Sequence, residues 1–206
     1  MDLRSFSKKP ILGIVRGISD KDVEPLVEAV ISAGLETIEI TMNTVGASSL
    51  ITKAQKASAG RITIGAGTVL GMEDLKQALT AGATFIVTPV LVPDVAAYCA
   101  KNKIPIFSGA LTPSEIYMAW DAGASMVKVF PSGFFGPGYF KEIKGPFADI
   151  KLLACGGVRP DNMKEYFKSG ADAVSFGASV FRKDLLDKKD YNAITELVRE
   201  FIKNIG

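Results

Sequence analysis

A closed barrel of eight parallel strands alternating with helices, (β/α)8, is the fold class this sequence predicts, and two observations carry it. The first is a weak repeat. Ala33-Gly34-Leu35, Ala81-Gly82-Ala83, Ala122-Gly123-Ala124 and Ser169-Gly170-Ala171 each end a helical stretch and precede an apolar run. A glycine so placed takes the C′ position of a helix, where a left-handed backbone is needed. The second is the interval between these glycines. They stand 41 to 48 residues apart, too far for one strand–helix unit and about right for two. A further strand must lie between each pair. Alternating strands and helices give a parallel sheet, and eight such units in 206 residues give a compact barrel. An open doubly wound sheet is the other fold that this alternation allows.

Taken in order, the expected strands are 11–15, 37–41, 62–66, 85–89, 104–107, 125–131, 150–154 and 173–177. Helical signals separate them. Thr112-Pro113-Ser114-Glu115 offers a Thr at N-cap, a Pro at N1 and a Glu at N3. Pro93-Asp94 and Pro160-Asp161-Asn162 open two more helices. Ser19-Asp20-Lys21-Asp22 resembles a capping box, but Pro25 is unwelcome in a helix interior, so that helix is placed nearer Asp22. No linker or low-complexity stretch interrupts the pattern, and residues 1–206 are read as one domain.

Composition removes several classes of function. The chain is 48% hydrophobic and 22% charged, with a net charge of +2 and both signs interspersed. This is the balance of an ordinary globular protein, without the basic stripe of a nucleic-acid groove or membrane-surface helix. No apolar run reaches the roughly 18 residues of a spanning helix. The first residues lack the apolar core of a signal peptide. The two cysteines, Cys99 and Cys155, form no C-x-x-C motif, and a reduced, cytoplasmic compartment is expected. There is no histidine. That removes the commonest general base, the commonest transition-metal ligand and every Ser-His arrangement. A metal-dependent reaction on such a barrel is disfavoured for the same reason.

In a (β/α)8 barrel the chemistry sits at the C-terminal ends of the strands. Those ends supply Arg16-Gly17, Glu39-Ile40-Thr41-Met42-Asn43, Gly65-Ala66-Gly67-Thr68, Thr88-Pro89, Ser108-Gly109, Lys128-Val129-Phe130-Pro131, Cys155-Gly156-Gly157 and Gly177-Ala178-Ser179. Strand alternation sharpens the picture. Ile38 and Ile40 suit the surrounding helices, which turns Thr37, Glu39 and Thr41 toward the axis. Val127 and Val129 do the same in the sixth strand and turn Lys128 inward. A buried ammonium is costly unless it is paired or gives up its proton. Burial is expected to lower the Lys128 pKa, and a neutral amine is a nucleophile. A buried structural ion pair with Glu39 is the bland alternative, and stability alone is a weak reason to keep one. The double glycine Gly156-Gly157 and the Gly177-Ala178-Ser179 turn follow the seventh and eighth strands, the usual phosphate-binding position of this fold.

These residues carry a resemblance. Ile14-Val15-Arg16-Gly17-Ile18, Ile38-Glu39-Ile40-Thr41, Ile64-Gly65-Ala66-Gly67-Thr68-Val69, Val87-Thr88-Pro89, Val127-Lys128-Val129-Phe130-Pro131, Lys144-Gly145-Pro146-Phe147 and Gly156-Gly157-Val158 resemble, in order, the segments of the 2-keto-3-deoxy-6-phosphogluconate (KDPG) and 4-hydroxy-2-oxoglutarate aldolases. The resemblance implies a class I, Schiff-base aldolase that needs no cofactor or metal and is typically a homotrimer. It implies Lys128 as the Schiff-base lysine and Glu39 as the general acid/base. Arg16 and Thr68 would hold the pyruvate-derived end, with Asn43, Pro89 and Cys155 also among the substrate-binding candidates. Gly156, Gly157, Gly177 and Ser179 would hold the phosphate. The family often has an arginine in place of Asn43 and a threonine in place of Cys155. Met42-Asn43-Thr44 and the Phe130–Tyr139 stretch look more like the branch acting on 2-keto-3-deoxy-6-phosphogalactonate (KDPGal). A sugar-phosphate-binding barrel without catalysis is the reading from another class, and the intact Lys128 and Glu39 argue against it.

Overall fold

A computed structural model describes residues 1–205. Eight strands, β1 (Ile11–Val15), β2 (Thr37–Thr41), β3 (Thr63–Gly67), β4 (Ile86–Val87), β5 (Ile106–Ala110), β6 (Met126–Val129), β7 (Leu152–Cys155) and β8 (Ala173–Phe176), pair in parallel in chain order. β1 also pairs with β8, which closes the barrel and rules out the open sheet. The helices are α1 (Leu3–Phe6), α2 (Val23–Ser32), α3 (Ala47–Ser58), α4 (Met72–Thr80), α5 (Pro93–Lys101), α6 (Pro113–Asp121), α7 (Gly138–Lys144), α8 (Met163–Lys168), α9 (Lys183–Asp187) and α10 (Tyr191–Lys203).

Local chemistry explains most of these boundaries. Gly34, Gly82, Gly123 and Gly170 have φ of 86°, 97°, 91° and 101°, so the repeat marks true helix ends. Thr112 and Glu115 form the capping box of α6, and Pro93 and Pro113 open their helices. The Ser19 reading is corrected. Its hydroxyl donates to the Asp22 carboxylate instead of capping a helix, and a 3-10 turn over Asp20–Asp22 comes first. Helix α2 then starts at Val23, so Pro25 lies in its first turn, where the missing N–H costs nothing.

β1 and β2 keep the expected bounds, β3, β6 and β8 shift by one or two residues at an end, and the other three strands differ in length or position. β5 begins at Ile106 and runs on through Ser108 and Gly109 to Ala110. Pro105 has no N–H to give to a ladder, and the small residues after Phe107 are strand, not loop. β7 begins at Leu152, and β4 keeps only Ile86 and Val87.

The alternation divides the core into two. Ile38, Ile40, Val127 and Val129 join the layer between barrel and helices. Leu12, Phe85, Val87, Phe107, Met126, Leu153 and Ala173 fill the interior, with Phe6 of α1 packed beneath them. The Phe107 ring lies 5.5 Å from that of Phe6 and 5.6 Å from that of Phe85. Aromatic side chains thus close the N-terminal end of the barrel. Phe85 fits because Gly65 faces it without a side chain: a Cβ there would lie 2.5 Å from the ring. Gly65→Ala is expected to cost about 1–3 kcal/mol by overpacking. Urea unfolding checks this, and combining it with Phe85→Leu should cost less than the two single changes together, because they share one contact.

Candidate active site

Lys128 sits mid-strand on β6, in register with Gly109 of β5 and Leu153 of β7. Glu39 sits mid-strand on β2, in register with Ile14 and Gly65. Both point to the axis, where the aromatic floor ends. Glu39 is fully buried, and neither of its oxygens has a hydrogen-bond partner. Lys128 is 7% exposed, and its Nζ lies 5.6 Å from the centre of the Phe130 ring, a cation–π placement. Two glycines make the room. A Cβ on Gly67 would overlap the Glu39 carboxylate, and one on Gly109 would overlap the Pro89 backbone.

The charges of this pair are coupled. Burial pushes the Glu39 carboxyl above the ordinary carboxylate range, against the pull of Lys128 and Arg16. Burial alone would depress Lys128, as the sequence suggested, but the net shift is upward. Desolvation is the largest single influence, but the Glu39 charge and Cys155 together outweigh it. Burial pushes the Cys155 thiol up as well, against the pull of the Lys128 charge. Alternation placed both side chains inward but could not weigh desolvation against pairing.

The rim above them is tied together by hydroxyls. Arg16 directly follows β1, and its Nη2 donates to Thr68 Oγ1 at 3.3 Å. Thr68 itself has φ of 55°. The Gly17 N–H donates to Thr44 Oγ1 at 3.0 Å, and that oxygen lies 3.0 Å from Thr41 Oγ1. Thr44 was not among the sequence candidates. Its signal was a second threonine three residues beyond the inward Thr41, the spacing of a turn that folds back on the strand end.

On the opposite side, a pocket of about 350 Å³ is lined by Arg16, Phe130, Cys155, Ser175 and both glycine loops. It joins six sequence candidates: Arg16, Cys155, Gly156, Gly157, Gly177 and Ser179. Gly156 and Gly157 have φ of 87° and 81°, and a Cβ on Gly157 would lie 2.6 Å from Gly133 Cα. The N–H groups of Gly157, Val158, Ala178 and Ser179 have no intramolecular acceptor among the described residues. Such unpaired donors in glycine-rich turns suit an anion. Ser175, another residue missed, faces Cys155 in register and donates to the Ala154 carbonyl at 3.1 Å.

Two candidates lie apart. Asn43 is exposed at the tip of the turn closed by the Thr44 N–H to Thr41 carbonyl bond, outside this pocket. Pro89 lines a separate apolar pocket with Val90, Leu91, Gly109 and Met118, and Phe130 divides the two. The loop after β2 is long enough to carry Asn43 outward, which strand alternation did not foresee. Among the described residues no three His, Cys, Asp or Glu side chains gather as a metal-binding group.

Known proteins share this fold. The family model for KDPG and KHG aldolase matches residues 4–197. A 2-dehydro-3-deoxy-6-phosphogalactonate aldolase of Escherichia coli K12 is 33% identical over 85% of this chain and 86% of its own. A native KDPGal structure superposes with a TM-score of 0.88 at 31% identity, covering 95% of this chain and 93% of the other. The KDPG aldolase of Legionella pneumophila, captured with pyruvate as a covalent carbinolamine, superposes at 0.85 with 26% identity, covering 92% of each chain. A match of this extent, on a barrel that buries one lysine and one glutamate at its open end, shows that the chain belongs to the KDPG and KHG aldolase family of carbon–carbon lyases.

Proposed function

We propose that the protein is a class I aldolase that cleaves 2-keto-3-deoxy-6-phospho sugar acids, KDPG and KDPGal, to pyruvate and glyceraldehyde 3-phosphate, and that it also acts on 4-hydroxy-2-oxoglutarate. The observation that carries this reading is the buried Lys128–Glu39 pair, whose carboxylate has no hydrogen-bond partner. A purely structural ion pair would satisfy its oxygens.

The chemistry follows from the coupled charges. Glu39, raised by burial, takes a proton from the Lys128 ammonium through a water, which leaves a neutral amine. That amine attacks the C2 ketone to give a carbinolamine, and Glu39 returns its proton to the departing hydroxyl, which leaves as water and gives the iminium. Glu39, again ionised, takes the C4 hydroxyl proton. The C3–C4 bond breaks, its electron pair moves to the iminium nitrogen, and the aldehyde leaves. The enamine takes a proton at C3, and water releases pyruvate and the lysine. This is covalent catalysis joined to general acid–base catalysis. Arg16, held by Thr68, pairs with the substrate carboxylate. The free N–H groups of the two glycine loops and Ser179 take the phosphate, and Phe130, Cys155 and Ser175 line the span between. A Cys thiol there is a poor hydrogen-bond partner compared with threonine.

We also assign the chain to one domain, to the cytoplasm and to a homotrimer. Both cysteines are free and buried, as a reducing compartment allows. Val90, Leu91, Met118 and Phe130 line one apolar pocket, and Phe134 beyond β6 is 85% exposed, a surface suited to burial between copies.

Three measurements test this function. Glu39→Gln should lower kcat by roughly 10²–10⁴, the usual range for a general acid–base residue. It also removes the charge that raises Lys128 and leaves burial in control. The pH midpoint for trapping pyruvate on Lys128 with borohydride should therefore move down, which mass spectrometry reads; an adduct on another lysine rejects the assignment. Ser179→Ala should raise KM for KDPG and leave pyruvate trapping unchanged. A pyruvate-release assay should give kcat/KM for the two C4 epimers within about tenfold, or about 1.4 kcal/mol. Cys155→Thr should shift that ratio toward KDPG by restoring a polar contact.

A further inference from the structure

We propose that Thr44 is a positioning residue for Arg16, and that its hydroxyl sets the grip on the substrate carboxylate without touching substrate. The inference rests on the reading of Arg16 as the carboxylate-holding group.

The bonding of Thr44 carries it. Arg16 hangs between the end of β1 and Gly17, whose φ is 67°. A glycine in the left-handed region gives the chain a sharp turn but little stiffness, since it has the widest choice of conformation. The stiffness must come from an anchor. Within this segment, the Gly17 N–H finds Thr44 Oγ1 at 3.0 Å. Thr44 is itself held from two sides. Its N–H donates to the Thr41 carbonyl at 2.9 Å, and its hydroxyl lies 3.0 Å from that of Thr41. Thr41 is fully buried at the end of β2, so the anchor is continuous with the sheet. The next residue, Met42, extends the attachment by donating its N–H to the Gly67 carbonyl at 2.7 Å.

A threonine hydroxyl has one proton and two lone pairs. Gly17 takes one lone pair, and the contact with Thr41 takes the proton or the other lone pair. Thr44 is also 6% exposed. It is therefore placed to act through Gly17 and Arg16. On the far side, Thr68 Oγ1 accepts from the guanidinium at 3.3 Å. The guanidinium is thus held at its head by the β3 loop and at its backbone by the β2 loop. Removing the backbone anchor leaves the positive charge present but misaimed, which weakens carboxylate binding more than bond cleavage.

Thr44→Val keeps the shape and removes the hydroxyl. Its KM for KDPG is expected to rise about 3- to 15-fold, the scale of one hydrogen bond, with kcat changed less than about twofold. Thr44→Ser, which keeps the hydroxyl, should stay within about twofold of the parent. Borohydride trapping by pyruvate should weaken in Thr44→Val, whereas trapping by hydroxyacetone, a ketone without a carboxylate, should not change. Thr44→Ala gives the same comparison if valine prevents folding. An unchanged KM in Thr44→Val and Thr44→Ala, while Arg16→Lys raises KM, overturns the role of Thr44. Equal losses in the Val and Ser variants, or equal weakening with both ketones, overturn it in favour of general packing. If Arg16→Lys leaves pyruvate trapping intact, the carboxylate reading fails, and the proposal fails with it.

Discussion

The cost of holding a lysine and a glutamate inside an apolar barrel governs this molecule. Neither charge would survive alone there: burial raises Glu39 and works against the ammonium of Lys128. They survive because each supplies the other's counter-charge across the axis. The pairing is loose, since the Glu39 oxygens have no hydrogen-bond partner. A tight pair would fix the proton on the lysine. The separation leaves both carboxylate oxygens open, as the proposed general acid–base role of Glu39 requires. In this sense the pair resembles a charged spring more than a bolt.

Much of the interior is shaped to permit that arrangement. Glycine at 67 leaves space for the Glu39 carboxylate, and glycine at 109 lets the Pro89 backbone close in beside Lys128. Below them Phe85 takes up the volume that Gly65 releases, with Phe107 packed against it. Large and small residues therefore alternate around the axis, and the polar pair sits where the filling stops. The walls above are made by hydroxyls and unpaired N–H groups on loops that follow β1, β3, β7 and β8. Rigid strands carry Lys128 and Glu39, and loops carry the groups proposed for recognition.

The parts of this design that depend on period and on local backbone chemistry were legible in the sequence. β1 and β2 run as read, the four C′ glycines lie in the left-handed region, and Lys128 and Glu39 both face the axis. The parts that depend on three-dimensional balance were not. Ser108 and Gly109 looked like the end of a strand because they are polar or small, yet they continue it. The direction of the Lys128 shift required the position of Glu39. Asn43 was carried away from the pocket by a turn, while Thr44, its neighbour, was carried inward to Gly17. Ser175 was hidden inside an apolar strand, although alternation alone would have turned it toward Cys155.

The floor formed by Phe6, Leu12, Phe85, Phe107 and Leu153 has a kinetic meaning. With that end of the barrel sealed, water, aldehyde and pyruvate share a single opening. On the proposed reading, the aldehyde fragment, bearing the phosphate, would lie on the outward side of the enamine on Lys128. It must depart before bulk water can approach the nitrogen-bound carbon from above. That reading would order product release, aldehyde first and pyruvate last. An aldehyde that lingers at the mouth shields the enamine and gives it time to re-form the bond that was broken. The sealed floor thus favours easy reversal at the carbon–carbon step, and makes the outward diffusion of one small phosphorylated molecule the event that commits the cycle.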